Sequence, residues 1–345
     1  MALMPDQIDD FVSLTLSKFK RNKWTDLSLE HTQYVSSTLN TKKKVREQGG
    51  KDISWRIKVK NTGNARNTGM FDQDQTNVDD VMISASIPWA MQTTNFSYDI
   101  REDLFQSGPE TIIRELEVRE HDALSDMAEL SEENLWSAPT SSSESRPMGV
   151  PFWLQKNVTE PDGGFTGGNP SGWSGGAAGV DSNTYPRWRN WAFKYTTVTS
   201  DDLIRKIKKS ITNTNFVAPV PHPELGFGKP DWCMYTTYRT LEPMERLAET
   251  RNDNLGNDLA RYVNNVVVGG VPVKYVPYLE ANDTSDPIYG INWGAFRPIV
   301  KTGWDMKRHK PKVSARQRNV REVHYDNSCQ YACYNRRTCF VGSTA

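Results

Sequence analysis

Ile53, Trp55, Ile57 and Val59 alternate with Ser54, Arg56, Lys58 and Lys60, and a second alternation runs through Val81, Ile83, Ala85, Ile87 and Trp89. A period of two marks a strand with one apolar face. Between the two runs, 61–80 is rich in Asn, Gly, Asp and Thr, residues that favour turns and solvent. The pattern predicts a β-hairpin over 51–92 with a long polar tip. Each strand of about eight residues reaches about 26 Å. A two-stranded ribbon is marginal in water by itself, so its apolar face needs cover from elsewhere. The first strand is basic (Arg56, Lys58, Lys60) and the far half of the tip is acidic (Asp72, Asp74, Asp79, Asp80). Such a split can pair within the hairpin or between molecules.

Upstream, 5–19 reads as an amphipathic helix with Pro5 in its first turn and Ile8, Phe11, Val12 and Phe19 near one face. The stretch from there to Gly50 is too polar to fold alone. Downstream, "TNFSYDI" is a third alternating run. It leads into the longest helical pattern, "SGPETIIRELEVREHDALSDMAELSEENLW" over 107–136. Ser107 caps it, Pro109 suits its first turn and Glu110 suits its positive end. Ile112, Ile113, Leu116, Leu124, Met127 and Leu130 form an apolar stripe flanked by Ala123, and the other faces are charged. About 28 residues at 1.5 Å each make it about 42 Å long.

The glycine-rich stretch 160–184 has no G-x-G-x-x-G opening a helix and no Gly-Lys-Ser/Thr, so it reads as a flexible surface excursion rather than a phosphate loop. "TSDDLIRKIKKSI" is a capped helix with Asp201 and Asp202 at its start and Lys208 and Lys209 near its end. From 216 the texture is mixed α/β. "DWCMYTTY" predicts a buried strand, "LEPMERLAETR" a helix, and "NVVVGGVPVKYVPYL" two strands about a Gly-Gly turn. "PIYGINWGAFRPIV" closes this unit, and "VREVHYDNSCQYACYNRRTCFV" ends the chain as strand. No internal repeat is visible.

Composition narrows the classes. Hydrophobic residues make up 37 % of 345, which is low, yet 11 Trp, 13 Tyr and 12 Phe argue against disorder. Many large aromatics with few aliphatics suit thin layers, or a core completed by neighbours. Lys plus Arg and Asp plus Glu balance at 42 each. No apolar run approaches the roughly 18–20 residues of a membrane span. Met1 to Asp10 holds three Asp and no basic residue, unlike a signal peptide. Cys233, Cys329, Cys333 and Cys339 fit no zinc spacing and are expected to be buried, reduced thiols. None of the five His has a His or Cys neighbour at ligand spacing, and neither H-E-x-x-H nor G-x-S-x-G occurs. His121 falls on the charged side of the long helix, where solvation accounts for it. "NPSGWSGG" with its aromatic neighbours suits stacking on sugars, which keeps a carbohydrate-binding protein as a remote alternative. The 301–321 segment has eight Lys or Arg against Asp305 alone. Lys307, Arg308, Lys310, Lys312, Arg316 and Arg318 in it are candidates for phosphate contact or for matching an acidic neighbour. The neutrality of the whole chain favours the neighbour.

Taken in order, the polar arm, long hairpin, long helix, interrupted α/β unit and terminal strand resemble the major capsid proteins of tailed bacteriophages, the α+β Hong Kong 97-like fold. The resemblance covers essentially the whole chain. It is carried by "LTLSKFKRNKWTDLS" (14–28), "SWRIKV", "TTYRTLEPMERLAETRNDNLG" and "CQYACYNRRTCFV". It implies an N-terminal arm over 1–50 lying across neighbours and an extended loop over 51–92. A peripheral domain over 93–215 and 301–345 would hold the spine helix at about 108–136 and a glycine-rich insertion at 160–184. An axial domain over 216–300 would meet its copies at the centre of pentamers and hexamers.

The resemblance further implies a structural protein, not an enzyme, without cofactor or metal. It would self-assemble into an icosahedral shell around double-stranded DNA held without sequence specificity, with a portal protein as partner and a procapsid that matures by expansion. It would be assembled in the host cytoplasm and reside in the virion. Inter-subunit contacts are expected from Trp55, Ile57, Lys58, Lys60, Arg66, Asp72, Asp74 and Trp89 on the loop, and a buried spine stripe from Ile113, Leu116, Leu124, Met127 and Leu130. Some family members begin with a long built-in scaffolding region; here 1–50 alone precede the hairpin, so a scaffolding protein would be separate or absent, and a decoration protein is a further partner. Some members crosslink through a hairpin lysine, but nothing here singles out an asparagine partner for Lys58 or Lys60. Encapsulins, bacterial compartments that hold cargo enzymes, share the fold and are the nearest alternative.

Overall fold

The computed structural model describes residues 27–73, 76–101, 115–157, 159–216, 231–249 and 266–344. The expected helix at 5–19, the first turns of the spine with Ile112 and Ile113, and Asp74 lie outside the described residues.

The chain enters through helix α1 (Val35–Lys42) and the short strand β1 (Val45–Glu47). The hairpin strands are β2 (Asp52–Lys58) and β3 (Met82–Pro88), and β4 (Ala90–Asp99) follows. The spine helix α2 is described over Glu115–Trp136, and a single turn, α3 (Val150–Trp153), comes after it. Next are β5 (Gly164–Gly167), β6 (Asn190–Lys194) and α4 (Arg205–Thr214), the last entered through a wide turn at Ser200–Ile204. Thr199 caps that turn by accepting from Asp202 N–H at 3.2 Å. The rest comprises β7 (Trp232–Thr236), α5 (Tyr238–Glu249), β8 (Val267–Val268), β9 (Val271–Tyr275), α6 (Pro277–Asn282), β10 (Ile288–Asn292) and β11 (Phe296–Lys301). β12 (Lys307–Arg308), β13 (Lys312–Val313), β14 (Val320–Cys333) and β15 (Phe340–Ser343) close the chain.

β14 organises a six-stranded sheet. It pairs antiparallel with β4 from Val320↔Asp99 to Cys329↔Ala90, and with β11 from Phe296↔Cys333 to Val300↔Cys329. β12 and β13 lie along its outer part, and β1 adds in parallel to β11. The spine helix covers one face, where Ala123 packs with Phe96, Val323 and Tyr325. A second sheet of seven strands has the order β5-β6-β15-β10-β7-β9-β8. One of its faces carries Met234, Phe193 and Phe340 under α4 and α5; the other carries Tyr235, Tyr289 and Ile291. That second face meets the first sheet in one large core with Trp136, Phe152, Trp153, Trp293 and Tyr331.

Sheet membership departs from the expected division at 216 and 301. β5, β6 and β15 belong to the sheet of 232–292, whereas β11 leaves it for the other sheet. These pairings join residues far apart in sequence, and local periodicity carries no trace of them.

Three further expectations are corrected. The first concerns the spine. Leu124 and Leu130 are 38 % and 37 % exposed, while Ala123, Met127, Ser131, Glu132, Asn134 and Leu135 are buried. Leu116 is half-buried against the Phe96 cluster. The buried face runs 123, 127, 131, 135 at the helical repeat of four.

The second concerns the glycine-rich segment, which is not a flexible excursion. Ala177, Ala178 and Val180 are buried in the main core, and Trp188 Nε1 donates to the Ala177 carbonyl at 3.2 Å. Gly176 has φ 79°, and a Cβ there would lie 2.1 Å from the Val180 carbonyl oxygen. Asp181 accepts from Asn169 Nδ2 at 2.7 Å, Asn183 N–H at 2.8 Å and Thr184 Oγ1 at 2.9 Å. These donors, the Asn169 amide foremost, lower its pKa from 3.8 to about 2.

The third concerns the arm. Within 27–50, Val35, Ser36 and Leu39 are buried in the chain's own core, so this part of the arm is not too polar to fold with its own subunit. The buried carboxylate of Glu132 accepts from Ser36 N–H and Trp136 Nε1, both at 2.7 Å, which removes the main cost of burying it.

Arg336 is fully buried as well. Its Nε donates to the Trp153 carbonyl at 2.7 Å, and an Nη donates to the Gly168 carbonyl at 2.9 Å and to Asn190 Oδ1 at 3.1 Å. Burial pulls its pKa down to about 10. The four cysteines are buried free thiols, and burial pushes Cys329 up to about 12.

Candidate assembly surfaces

The hairpin register is Ile53↔Ile87, Trp55↔Ala85 and Ile57↔Ile83, which puts the apolar side chains of both strands on one face. That face is covered by its own chain. Ile53, Ala85 and Ile87 are buried, and Trp55 packs on Trp153 and Tyr334 with ring centroids 6.2 and 5.4 Å apart. Ser86 N–H donates to the Ala178 carbonyl at 3.0 Å, Gln330 Nε2 to the Pro88 carbonyl at 2.9 Å and Trp89 Nε1 to the Gly50 carbonyl at 3.2 Å. This corrects the expectation that an adjacent copy supplies the whole cover. Trp55, Ile57 and Trp89 are half-buried on their own subunit, because α3 and the glycine-rich segment build a seat for the base.

The tip is different. Lys60 and Asp79 pair at 2.5 Å; each shifts the other, raising the lysine and lowering the carboxyl. Asn64 and Asn77 exchange two hydrogen bonds of 3.0 Å, Arg66 donates to the Gln73 carbonyl, and Gly69 N–H donates to Asp72 Oδ2 at 2.6 Å. The charge split seen in the sequence therefore closes within the hairpin at Lys60–Asp79. Met70 and Phe71 stand at the apex, 91 % and 101 % exposed, with Phe71 at φ 68°. A non-glycine residue at positive φ is uncommon and costs of order 1 kcal/mol or more. Lys58, Lys60, Arg66 and Asp72 lie on this projecting part and are exposed.

The basic strip of 307–318 runs along the edge strands β12 and β13. Arg308 lies 3.6 Å from Glu120 on the spine, and Lys307 sits 4.3 Å from the Trp304 ring centroid. Lys310, Lys312, Arg316 and Arg318 are exposed and make no ion pair among the described residues. At the strip's root, Asp305 pairs with Lys44 at 2.5 Å and lies 3.4 Å from Arg46, binding the end of the arm to this sheet.

His121 is exposed, 3.3 Å from Ser125 Oγ. Among the described residues no group of three or more His, Cys, Asp or Glu is placed to hold a metal ion, and no helix is long and apolar enough to cross a membrane. A surface cavity of about 420 Å³ lies between the end of the spine, α3 and α6.

No family model and no curated protein sequence matches this chain. Solved structures do. The Cyanophage A-1(L) capsid asymmetric unit is similar at TM-score 0.64 and 17 % identity, over 95 % of this chain and 98 % of that one. The capsid of a native GTA particle is similar at TM-score 0.54 and 8 % identity, over 95 % and 96 %. The encapsulin of the holo-SrpI complex from Synechococcus elongatus PCC 7942 is similar at TM-score 0.52 and 10 % identity, over 100 % and 96 %. At such identities the likeness is one of fold. The chain has the α+β Hong Kong 97-like shell fold, the fold expected of a tailed-phage major capsid protein.

Proposed function

We propose that this protein is the major capsid protein of a tailed bacteriophage, a structural subunit that assembles into pentamers and hexamers of an icosahedral shell around double-stranded DNA. The observation that carries the reading is a hairpin tip that is tied by its own hydrogen bonds and ends in two exposed apolar side chains. A monomer gains nothing from such a projection, whereas a tile gains contact with its neighbour. The shell fold over nearly the whole chain supports it.

In this reading the six-stranded sheet with the spine is the peripheral domain and the seven-stranded sheet the axial domain. Many modest contacts per subunit add through multivalency. DNA is held by charge, without sequence readout and with strong salt dependence. The exposed cations of 307–318 face either an acidic neighbour or phosphate. Maturation is a rigid-body change between two packings of the same tile. A portal protein, and separate scaffolding or decoration proteins, are the further partners, and the virion is its location. We assign it no catalytic step.

The fold likeness to an encapsulin supports a second reading, a bacterial compartment shell. Electron microscopy of the purified protein and its contents separates these. Closed icosahedral particles are expected, and DNA inside particles from infected cells supports the phage reading. Particles enclosing an enzyme support the compartment, and a monodisperse monomer overturns both.

A further inference from the structure

We propose that Cys333 and Cys339 are a site of reversible oxidation, a dithiol whose disulfide ties the end of β14 to the start of β15 and so clasps the six-stranded sheet to the seven-stranded one. The clasp is a property of a single subunit and stands apart from the shell reading above.

The two cysteines flank a turn at the seam of the sheets. Cys333 is the last residue of β14, opposite Phe296 in β11, and Cys339 directly precedes β15. The turn between them is fixed by its own hydrogen bonds. Tyr334 N–H donates to the Ala295 carbonyl at 2.8 Å, Arg337 N–H to Asn335 Oδ1 at 3.1 Å, Thr338 Oγ1 to the Asn335 carbonyl at 2.8 Å and Cys339 N–H to the Arg336 carbonyl at 3.1 Å. Held this way the two thiols meet, with the Cys333 S–H donating to Cys339 Sγ. The other two cysteines are engaged elsewhere: Cys329 Sγ donates to Gln92 Oε1 at 3.4 Å and Cys233 Sγ to the Met234 carbonyl at 3.8 Å. Cys329 also lies four residues from Cys333 along an extended strand, about 13 Å away. A disulfide tolerates no more than about 7 Å between Cα atoms.

The surroundings make Cys339 the attacking sulfur. Arg336 is fully buried and pairs with no carboxylate among the described residues; the two sulfurs are the groups that offset its charge. The Cys333 S–H foremost, then the Asn292 N–H at 3.5 Å, holds the Cys339 thiol below its ordinary range, while burial pushes the Cys333 thiol well up. A thiolate is the nucleophile in such chemistry, and a neighbouring thiol resolves the product. Both sulfurs are buried, so the reaction runs through a local opening of the turn and suits a small, uncharged oxidant, a peroxide. The Cys339 thiolate attacks one oxygen of hydrogen peroxide; the O–O bond breaks and the departing hydroxide takes up the proton the thiol gave. The Cys333 sulfur then attacks the resulting sulfenic acid; the S–O bond breaks and water leaves with the Cys333 proton. Two thiols and one peroxide become one disulfide and two waters, with two electrons passing to the peroxide.

The native chain treated with hydrogen peroxide, then unfolded in an alkylating reagent and digested with trypsin, tests this. A linked pair of peptides, 322–336 with 338–345, is expected, with Cys233 and Cys329 alkylated. The link should survive Cys329→Ser, vanish in Cys339→Ser and open in reductant. Four alkylated thiols, oxidised cysteines without the link, or a link lost in Cys329→Ser overturns the site. The oxidised wild-type chain is also expected to melt about 2–4 °C above the reduced one, a gain absent from Cys339→Ser; equal melting temperatures overturn the clasp.

Discussion

The base and the tip belong to the same hairpin and meet opposite fates. At the base, Ile53, Ala85 and Ile87 are closed into the subunit's own core, under Trp153 and the glycine-rich segment. At the tip, Met70, Phe71 and Val78 are almost wholly exposed while polar side chains tie the backbone together. On the proposed reading, stability and assembly fall to different residues. The base is anchored by apolar burial, which one subunit supplies alone. The tip is ordered by hydrogen bonds and one ion pair, which fix a shape without burying area. A tile built this way can be folded before it meets a neighbour and still have a reason to meet one.

That contrast can be broken most directly by deleting 61–79. Assembly is expected to vanish while the melting temperature stays near wild type; a deletion variant that forms shells would erase the distinction. Ile87→Asp should do the reverse and attack the fold itself. A charge in the main core is expected to cost about 4 kcal/mol or more, seen as loss of soluble, cooperatively unfolding protein. Trp55→Ala, at a half-buried position, is expected to cost about 2 kcal/mol in chemical denaturation, below the 3–5 of a fully buried aromatic.

A smaller effect should follow from Asp181→Asn, in the segment that seats the base. Its folded pKa is depressed, so its contribution is present above 3.8 and lost as pH falls through about 2. The variant should therefore lose part of the wild-type stability at neutral pH, and the difference should shrink in acid unfolding curves between about pH 4 and 2. Least of all, Leu124→Asp should change stability by no more than about 0.5 kcal/mol, because Leu124 faces solvent. Met127→Asp is its buried control and should be strongly destabilising.

Much of the framework was legible in order. The two hairpin strands, the β4 run, the spine over 115–136, the α4 cap, and the strands about Gly269 and Gly270 all lie where period and turn chemistry put them. The shell fold was legible too, from the order of elements. The readings that failed share a cause. The 160–184 stretch reads as linker by composition, yet its alanines and valine fill a core and its glycines allow tight turns. Leu124 and Leu130 look like core, and Ser131, Glu132 and Asn134 fall outside the apolar stripe, until the sheet shows which face it covers. Arg336 and Glu132 are both buried and hydrogen-bond to carbonyls or N–H groups distant in sequence, which local pattern does not show. Of the candidate contact residues, Trp55, Ile57 and Trp89 have cover on their own subunit, and Met70 and Phe71 went unremarked inside a polar stretch.

By itself the sequence determined the hairpin strands, β4, β14, the spine and α4, because period and capping act over a few residues and need no partner. It determined as well that the hairpin has one apolar face. Only the tertiary structure decided what covers that face, which strands share a sheet, which side of the spine is buried, and where the exposed apolar groups end up. Those are pairings over long separations, and their free energy belongs to two distant segments jointly, so neither segment records it alone.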